Sequence, residues 1–470
     1  MNRRKFRRWL ENGLAVLACA GLAAGAYAAE SVAAQAAPTE VAAQAAPTDV
    51  AAQAAPTDVA ARAAPLVPPP EPPPLVDAGA LDTALKGLVD GKQIVGTSAL
   101  IYERGKEAYF GAFGFADREN NVPMARDTIV QIFSMTKPVT GVALMMLYER
   151  GKFGLDDPLS LYLPEFANAK VYAGQDANGQ PAFEAPKRPI VIRDVLRHTA
   201  GFLNGDSDTT PVGAMYRQID PRNPANALPQ LCAKLAQVPL AYQPGTRWLY
   251  SDAVDVQACL VEKLSGVPFD QFLGLHIFKP LRMTSTRHTI LPTDADRPRL
   301  AALYTRNADG TFARQTDAEA YAFVGQPWPQ KPGAFGLVST LDDYMSFARM
   351  LLDGGKLGRV RILKPQTVKL MATDSMPPGV TDQSWLPGKG QLGFGIDFAV
   401  RIAPPKDAQE PSGAVGEFFW DGKANTLFWV DPKNDIAAVL FTQYFPPGAR
   451  PLHKVFRDAV YRNDPVALAH

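Results

Sequence analysis

The sequence is poor in the residues from which metal centres and redox sites are made. Its 470 residues include three cysteines, at positions 19, 232 and 259, and five scattered histidines. Neither a Cys-x-x-Cys nor a His-Glu-x-x-His occurs, which argues against a zinc ribbon, a thioredoxin-type centre, a disulfide-stapled scaffold or a zinc hydrolase. Missing too is a Gly-x-Ser-x-Gly, so the nucleophile elbow of the α/β-hydrolases is excluded. No Gly-x-Gly-x-x-Gly follows a strand in the way a dinucleotide site requires. An excess of one charge is also lacking: 48 Lys+Arg stand against 47 Asp+Glu, a formal +1. Five of the basic residues (Arg3, Arg4, Lys5, Arg7 and Arg8) fall in the first ten, and without residues 1–28 the balance is 43 to 46, a net −3. Such a body offers no field for a polyanion, and no nucleic-acid partner is expected. With 47% hydrophobic residues the chain can still bury one large core or two ordinary ones.

What is present is ordered along the chain. Residues 1–29 have the form of an export signal: a basic start, an Ala/Gly/Leu-rich stretch from Gly13 to Gly25, and a small-x-small exit at Ala26-Tyr27-Ala28. The apolar stretch is short for a membrane span. Residues 30–75 begin with a nine-residue repeat, Val-Ala-Ala-Gln-Ala-Ala-Pro-Thr-Asp/Glu, starting at Val32, Val41 and Val50 with a decayed copy from Val59, and end in a proline run from Pro68 to Pro74. A proline in every copy interrupts any helix, so this segment is expected to be a disordered spacer. An exported, periplasmic protein is expected. A spacer directly behind the signal also serves an N-terminus that stays attached to the membrane, and both arrangements remain open.

Residues 76–470 read as the folded domain. Thr97–Glu103 and Lys106–Phe115 alternate around Arg104-Gly105 and predict a β-hairpin. Helical spacing runs from near Ser134 through Val139, Val142, Met146 and Leu147 until Gly151. The stretch from about 155 to 330 holds helical segments (Ile192–His198, Ser251–Ser265, Phe269–Leu275) among Pro- and Gly-rich loops. Near the end, Glu417–Asp421, Asn425–Val430 and Ile436–Gln443 predict consecutive antiparallel strands, followed by a helix over His453–Tyr461. The fold class is therefore α/β: an antiparallel sheet built from both chain ends, flanked by helices, with a mainly helical insertion.

Ser134-Met135-Thr136-Lys137 is a Ser-x-x-Lys, which on a helix puts the ammonium within reach of the hydroxyl. A serine is a weak nucleophile until a base takes its proton, and a desolvated lysine can be that base. Alone the motif is weak, because chance supplies it about once or twice in a chain of this length. Two further motifs follow in order, Tyr250-Ser251-Asp252 ahead of a helical run and Trp420-Asp421-Gly422 on a C-terminal strand. With Leu155-Asp156-Asp157-Pro158, Leu196-Arg197-His198-Thr199-Ala200-Gly201 and Gly336-Leu337-Val338-Ser339-Thr340, the set resembles the class C β-lactamase-related serine hydrolases. The closest pattern is that of the family VIII carboxylesterases, and the resemblance covers roughly residues 78–465.

The resemblance implies a β-lactamase/transpeptidase-like fold, an acyl-enzyme on Ser134, and proton transfer shared by Lys137 and Tyr250, with no metal or organic cofactor. It places Asp252, Trp420, Gly422 and Lys423 around the substrate, the backbone N–H groups of Ser134 and Lys423 forming an oxyanion hole. Gly422, without a side chain, would let substrate lie along its strand. Two residues depart from the family pattern. Asp252 replaces the usual Asn, and its charge near Lys137 is expected to hold the lysine as a cation and leave Tyr250 as the base. Trp420 replaces a Lys or His that would pair with a substrate carboxylate, which points to a small neutral acyl substrate. The alternatives are a β-lactamase or D-amino-acid peptidase and a non-catalytic peptidoglycan-binding relative. His198 reads as structural, Cys232 and Cys259 as either a disulfide or two buried thiols, and the oligomeric state is left open.

Overall fold

The computed structural model describes residues 73–205, 208–448 and 451–462. The export signal and nearly all of the spacer lie outside the described residues. Helix α1 (Ala78–Asp90), capped by the Asp77 side chain accepting from the Ala80 N–H, leads into strands β1 (Gly96–Glu103) and β2 (Lys106–Asp117). Arg104 and Gly105 both take positive φ (51° and 73°) at the turn between them, the backbone of a tight two-residue hairpin. Strand β3 (Val122–Pro123) pairs on the far side of β2. Five strands from the C-terminal part complete the sheet: β4 (Leu392–Phe394), β5 (Ala399–Arg401), β6 (Phe418–Asp421), β7 (Leu427–Asp431) and β8 (Ile436–Phe441). The spatial order is β4-β5-β6-β7-β8-β1-β2-β3, antiparallel throughout, and the two chain ends meet where Ser98 faces Phe441 and Glu103 faces Ile436.

Four more helices matter for the site: α2 (Thr136–Glu149), α3 (Ala253–Ser265), α4 (Leu341–Leu352) and α5 (Leu452–Tyr461). Successive strand residues point to opposite faces of a sheet. Phe428 on β7 meets Tyr344 and Phe347 of α4 (ring centroids 5.0 and 6.5 Å apart), while its neighbour Trp429 meets Phe456 and Tyr461 of α5 (5.2 and 6.4 Å). The sheet is thus covered on both faces by aromatic contacts. Helix α2 is buried residue by residue from Thr136 to Leu147, and a helix with no wet face runs through a core. Any polar side chain it carries is desolvated by default.

The predicted hairpin, the C-terminal strands and the last helix lie within a few residues of their observed bounds. Strands β4 and β5 were not foreseen, since three residues are too few to show alternation. The stretch from 155 to 330 is less purely helical than expected: Val171–Gln175 pairs with Pro181–Glu184, and Tyr304–Arg306 with Phe312–Arg314. Cys232 and Cys259 form a disulfide that ties the helix Leu228–Leu235 to α3, which decides between the two readings of those cysteines. Among the described residues no helix is long and apolar enough to cross a membrane.

Candidate active site

Ser134 sits in a single 3-10 turn, Phe133–Met135, directly ahead of α2 rather than inside it. Phe133 has φ +45°, a left-handed conformation that costs a bulky residue energy and concentrates at functional sites. The turn leaves Ser134 half-buried, and one helical step later Lys137 returns to the same side. Lys137 Nζ donates to Ser134 Oγ at 3.3 Å and to the Ala334 carbonyl at 2.8 Å. The Tyr250 hydroxyl donates to Ser134 Oγ at 2.8 Å, and Lys137 Nζ lies 4.5 Å from the centre of its ring. Two donors converging on one hydroxyl oxygen favour its developing negative charge.

Burial decides the protonation of this trio. Desolvation brings the Lys137 ammonium down to about 7; Arg222 pushes the same way, while the carboxyl groups of Asp255, Asp397 and Asp252 oppose it. Lys137 is therefore a proton acceptor near neutrality. The lysine therefore divides between its two forms near neutral pH instead of being held as a cation by Asp252, because the loss of hydration outweighs the attraction of the carboxylates. Burial likewise holds the Tyr250 phenol above its ordinary value, against the pull of Ser134 and Trp420, so Tyr250 is a neutral donor and not a resting base.

Around Tyr250 stand Trp385, Trp420 and His198, with ring centroids 5.3, 5.5 and 5.1 Å from it. Trp420 is 1% exposed and packs behind Tyr250 against Phe394, whereas Trp385, on the segment before β4, is half-buried. His198 is fully buried, its Nδ1 accepting from the Ser251 N–H at 3.2 Å, and burial holds it neutral; it orients the tyrosine segment. Gly422 is small for a packing reason that the sequence did not show. A Cβ there would fall 2.2 Å from Thr426 Oγ1 and 2.4 Å from the Ile132 carbonyl, so the missing side chain is filled by the chain beside Ser134. Lys423 lies half-buried over the Phe445 ring at 5.3 Å, its ammonium lowered to about 8 by burial and by Arg222.

Asp252 is 1% exposed, and its carboxylate is engaged by Arg222 Nη2 and by the Tyr216 hydroxyl, each at 2.5 Å. This contact replaces the direct approach to Lys137 expected from the sequence. Arg222 Nη2 also reaches Asp255 Oδ2 at 3.5 Å, and Asp255 Oδ1 accepts from the Ala334 N–H at 2.9 Å. Arg222, Asp255, Ala334 and Trp385 were invisible to motif reading. An acidic residue in the place of a neutral one does call for a compensating cation, but nothing in the sequence says which of 48 basic residues supplies it.

The profile of the β-lactamase family matches residues 81–461. A Mycobacterium tuberculosis protein is 33% identical over 372 residues, covering 77% of this chain and 89% of that relative. Esterase EstB of Burkholderia gladioli is 28% identical over 82% of this chain and 95% of its own. Two solved structures superpose well: EstCE1, a hydrolase with promiscuous acyltransferase activity, with TM-score 0.67, 28% identity and coverage of 82% of this chain and 98% of its own, and simvastatin synthase (LovD) of Aspergillus terreus, with TM-score 0.69, 25% identity and coverage of 81% and 97%. With the sheet, the helices and the profile match coinciding over most of its length, the chain belongs to the β-lactamase family of serine hydrolases and penicillin-binding-protein-like enzymes.

Proposed function

We propose that the protein is an exported carboxylesterase that works through an acyl-enzyme on Ser134. The observation that carries this reading is the Ser134 hydroxyl bonded both by Tyr250 and by a buried lysine that titrates near neutrality. Neutral Lys137 takes the Ser134 proton as Oγ attacks the acyl carbon. The oxyanion collects at the backbone N–H groups of Ser134 and Lys423. Tyr250 passes its proton to the departing alkoxide as the C–O bond breaks and regains one from the Lys137 ammonium, leaving the acyl group on Ser134. Water, deprotonated by the same pair, releases the acid and restores the serine.

The preference for esters over β-lactams rests on Trp420, which fills the third-motif position where the β-lactamase pattern carries a cation, and on the aromatic residues around Tyr250, which favour a neutral acyl group. The esterase and acyltransferase names among the relatives point the same way. The test compares a short-chain nitrophenyl ester with a chromogenic cephalosporin and maps a fluorophosphonate adduct. Faster ester turnover with the label on Ser134 is expected. A cephalosporin kcat/KM equal to or above that of the ester reverses the substrate class, and a missing label favours a binding protein. Export rests on the basic start and apolar stretch of residues 1–29; recovery of the full chain in the cytosolic fraction would overturn it.

A further inference from the structure

The charged and titratable groups that face Lys137 come from several elements: Asp252 and Asp255 at the start of α3, Arg222 from the loop 220–227, Asp397 from the turn between β4 and β5, and the rings of Tyr250 and His198. Among the carboxylates only Asp397 stands apart from the arginine; it accepts from Gln257 at 3.1 Å and burial pushes it up towards its neutral form. Asp252 and Asp255, one helical step apart and both buried, share the guanidinium of Arg222, whose side chain is 14% exposed and stacks over Phe335 at 5.5 Å. Asp255 continues through the Ala334 peptide, whose N–H it accepts and whose carbonyl accepts from Lys137. That peptide is clamped in place. The preceding Gly333 carbonyl accepts from Thr140 of α2 at 2.7 Å, and a Cβ on Gly333 would fall 2.4 Å from the Val254 carbonyl of α3.

We propose that the Arg222–Asp252 ion pair is a positioning element that keeps the charge facing Lys137 balanced, an ionic substitute for the neutral Asn that the family carries at the end of its second motif. The proposal rests on the reading of Ser134, Lys137 and Tyr250 given above. Two buried carboxylates and one guanidinium leave a single negative charge facing the lysine, the same charge that Asp255 alone would leave beside a neutral Asn. The pair thus keeps the second motif anchored to the helical insertion without altering the charge that Lys137 meets. Each half alone does alter it. Loss of Arg222 leaves the carboxylates uncompensated and strengthens the hold of Lys137 on its proton; loss of the Asp252 charge leaves Arg222 in excess and weakens it.

The experiment is the pH dependence of the rate at which a fluorophosphonate modifies Ser134, measured for the parent, Arg222→Gln, Asp252→Asn and the double variant. It needs no knowledge of the natural ester. The acid limb is expected to move up by roughly one pH unit in Arg222→Gln, down by a smaller amount in Asp252→Asn, and back to within a few tenths of the parent in the double variant. Arg222→Lys, which keeps the charge, should retain the parent limb and covers the case in which the glutamine variant does not fold. Lower rates with an unmoved limb in Asp252→Asn, or shifts of the same sign in both single variants, would overturn the proposal and leave the pair a purely structural contact. A parent that takes no label on Ser134 would instead overturn the reading of the nucleophile.

Discussion

Glu417, on the approach to β6, and Lys137, on α2, are both sealed from solvent, and their surroundings differ in one respect. Glu417 Oε1 accepts from Arg401 at 2.9 Å and from Arg457 at 2.8 Å, and its Oε2 from Tyr461 at 3.2 Å. The single Tyr461 hydroxyl proton is shared with Asp431 Oδ2 at 2.8 Å, which also accepts from Asn434, so the α5 face of the sheet is tied together by carboxylates and their donors. Lys137 is bonded to a hydroxyl and a carbonyl and to no carboxylate. A buried charge with an ionic partner has part of its lost hydration offset, and removing that partner is costly. A buried lysine without one gives up its proton more readily and becomes available for chemistry. The same burial surrounds an ionic cluster in one place and a lysine without a carboxylate contact in the other, and the partner is what separates them.

Substitutions on the two sides should therefore separate activity from stability. The largest effect is expected for Ser134→Ala, which should lose turnover by several orders of magnitude and all fluorophosphonate labelling, with a melting temperature close to the parent's; residual turnover at a tenth of the parent rate would remove Ser134 from the mechanism. Tyr250→Phe should lower kcat by about a hundredfold or more, the range for a lost proton-transfer group, and stopped-flow ester assays at saturating substrate read it. On the other side, Glu417→Gln should destabilise the domain by about 3–5 kcal/mol in urea titration, because it leaves two guanidinium groups facing one neutral amide. Its kcat per folded molecule should stay at the parent value; a fall in kcat would show that the two clusters are coupled. The smallest expected signal is the parent's own pH profile. Lys137 must be neutral to accept a proton, so kcat/KM should rise with pH through about 7 and level off above it. A limb centred near 10 would mean that the lysine is hydrated and that the contrast with Glu417 fails.

How far the sequence carried these conclusions follows the same division. Ser134, Lys137 and Tyr250 were legible because motif spacing encodes which residue types must meet. The hairpin around Arg104-Gly105 and the strands before and after Lys423 were legible from alternation. The sign of the Lys137 shift was not, since it depends on how completely α2 is enclosed against the opposing pull of carboxylates as distant in sequence as Asp255 and Asp397. Nor was the reason for Gly422, which lies in its approach to Ile132 and Thr426. Arg222 belongs to no motif, and only the folded insertion brings it to Asp252.

The pairing of β1 with β8 also bears on the order in which this protein comes into being. Thr97 and the Phe441 carbonyl it bonds are 344 residues apart, and at a ribosomal pace of roughly 5–20 residues per second the first waits about twenty seconds to a minute for the second to be synthesised. Through that interval β1 presents an open edge, a template for mispairing until its partner arrives. The strand bearing Trp420 and the Gly422 that follows it are made in the same final stretch, so the Ser134 turn gains its packing partner only as the chain nears completion. A chain released before Ile436 carries Ser134, Lys137 and Tyr250 but lacks the strand that joins the two halves of the sheet around them.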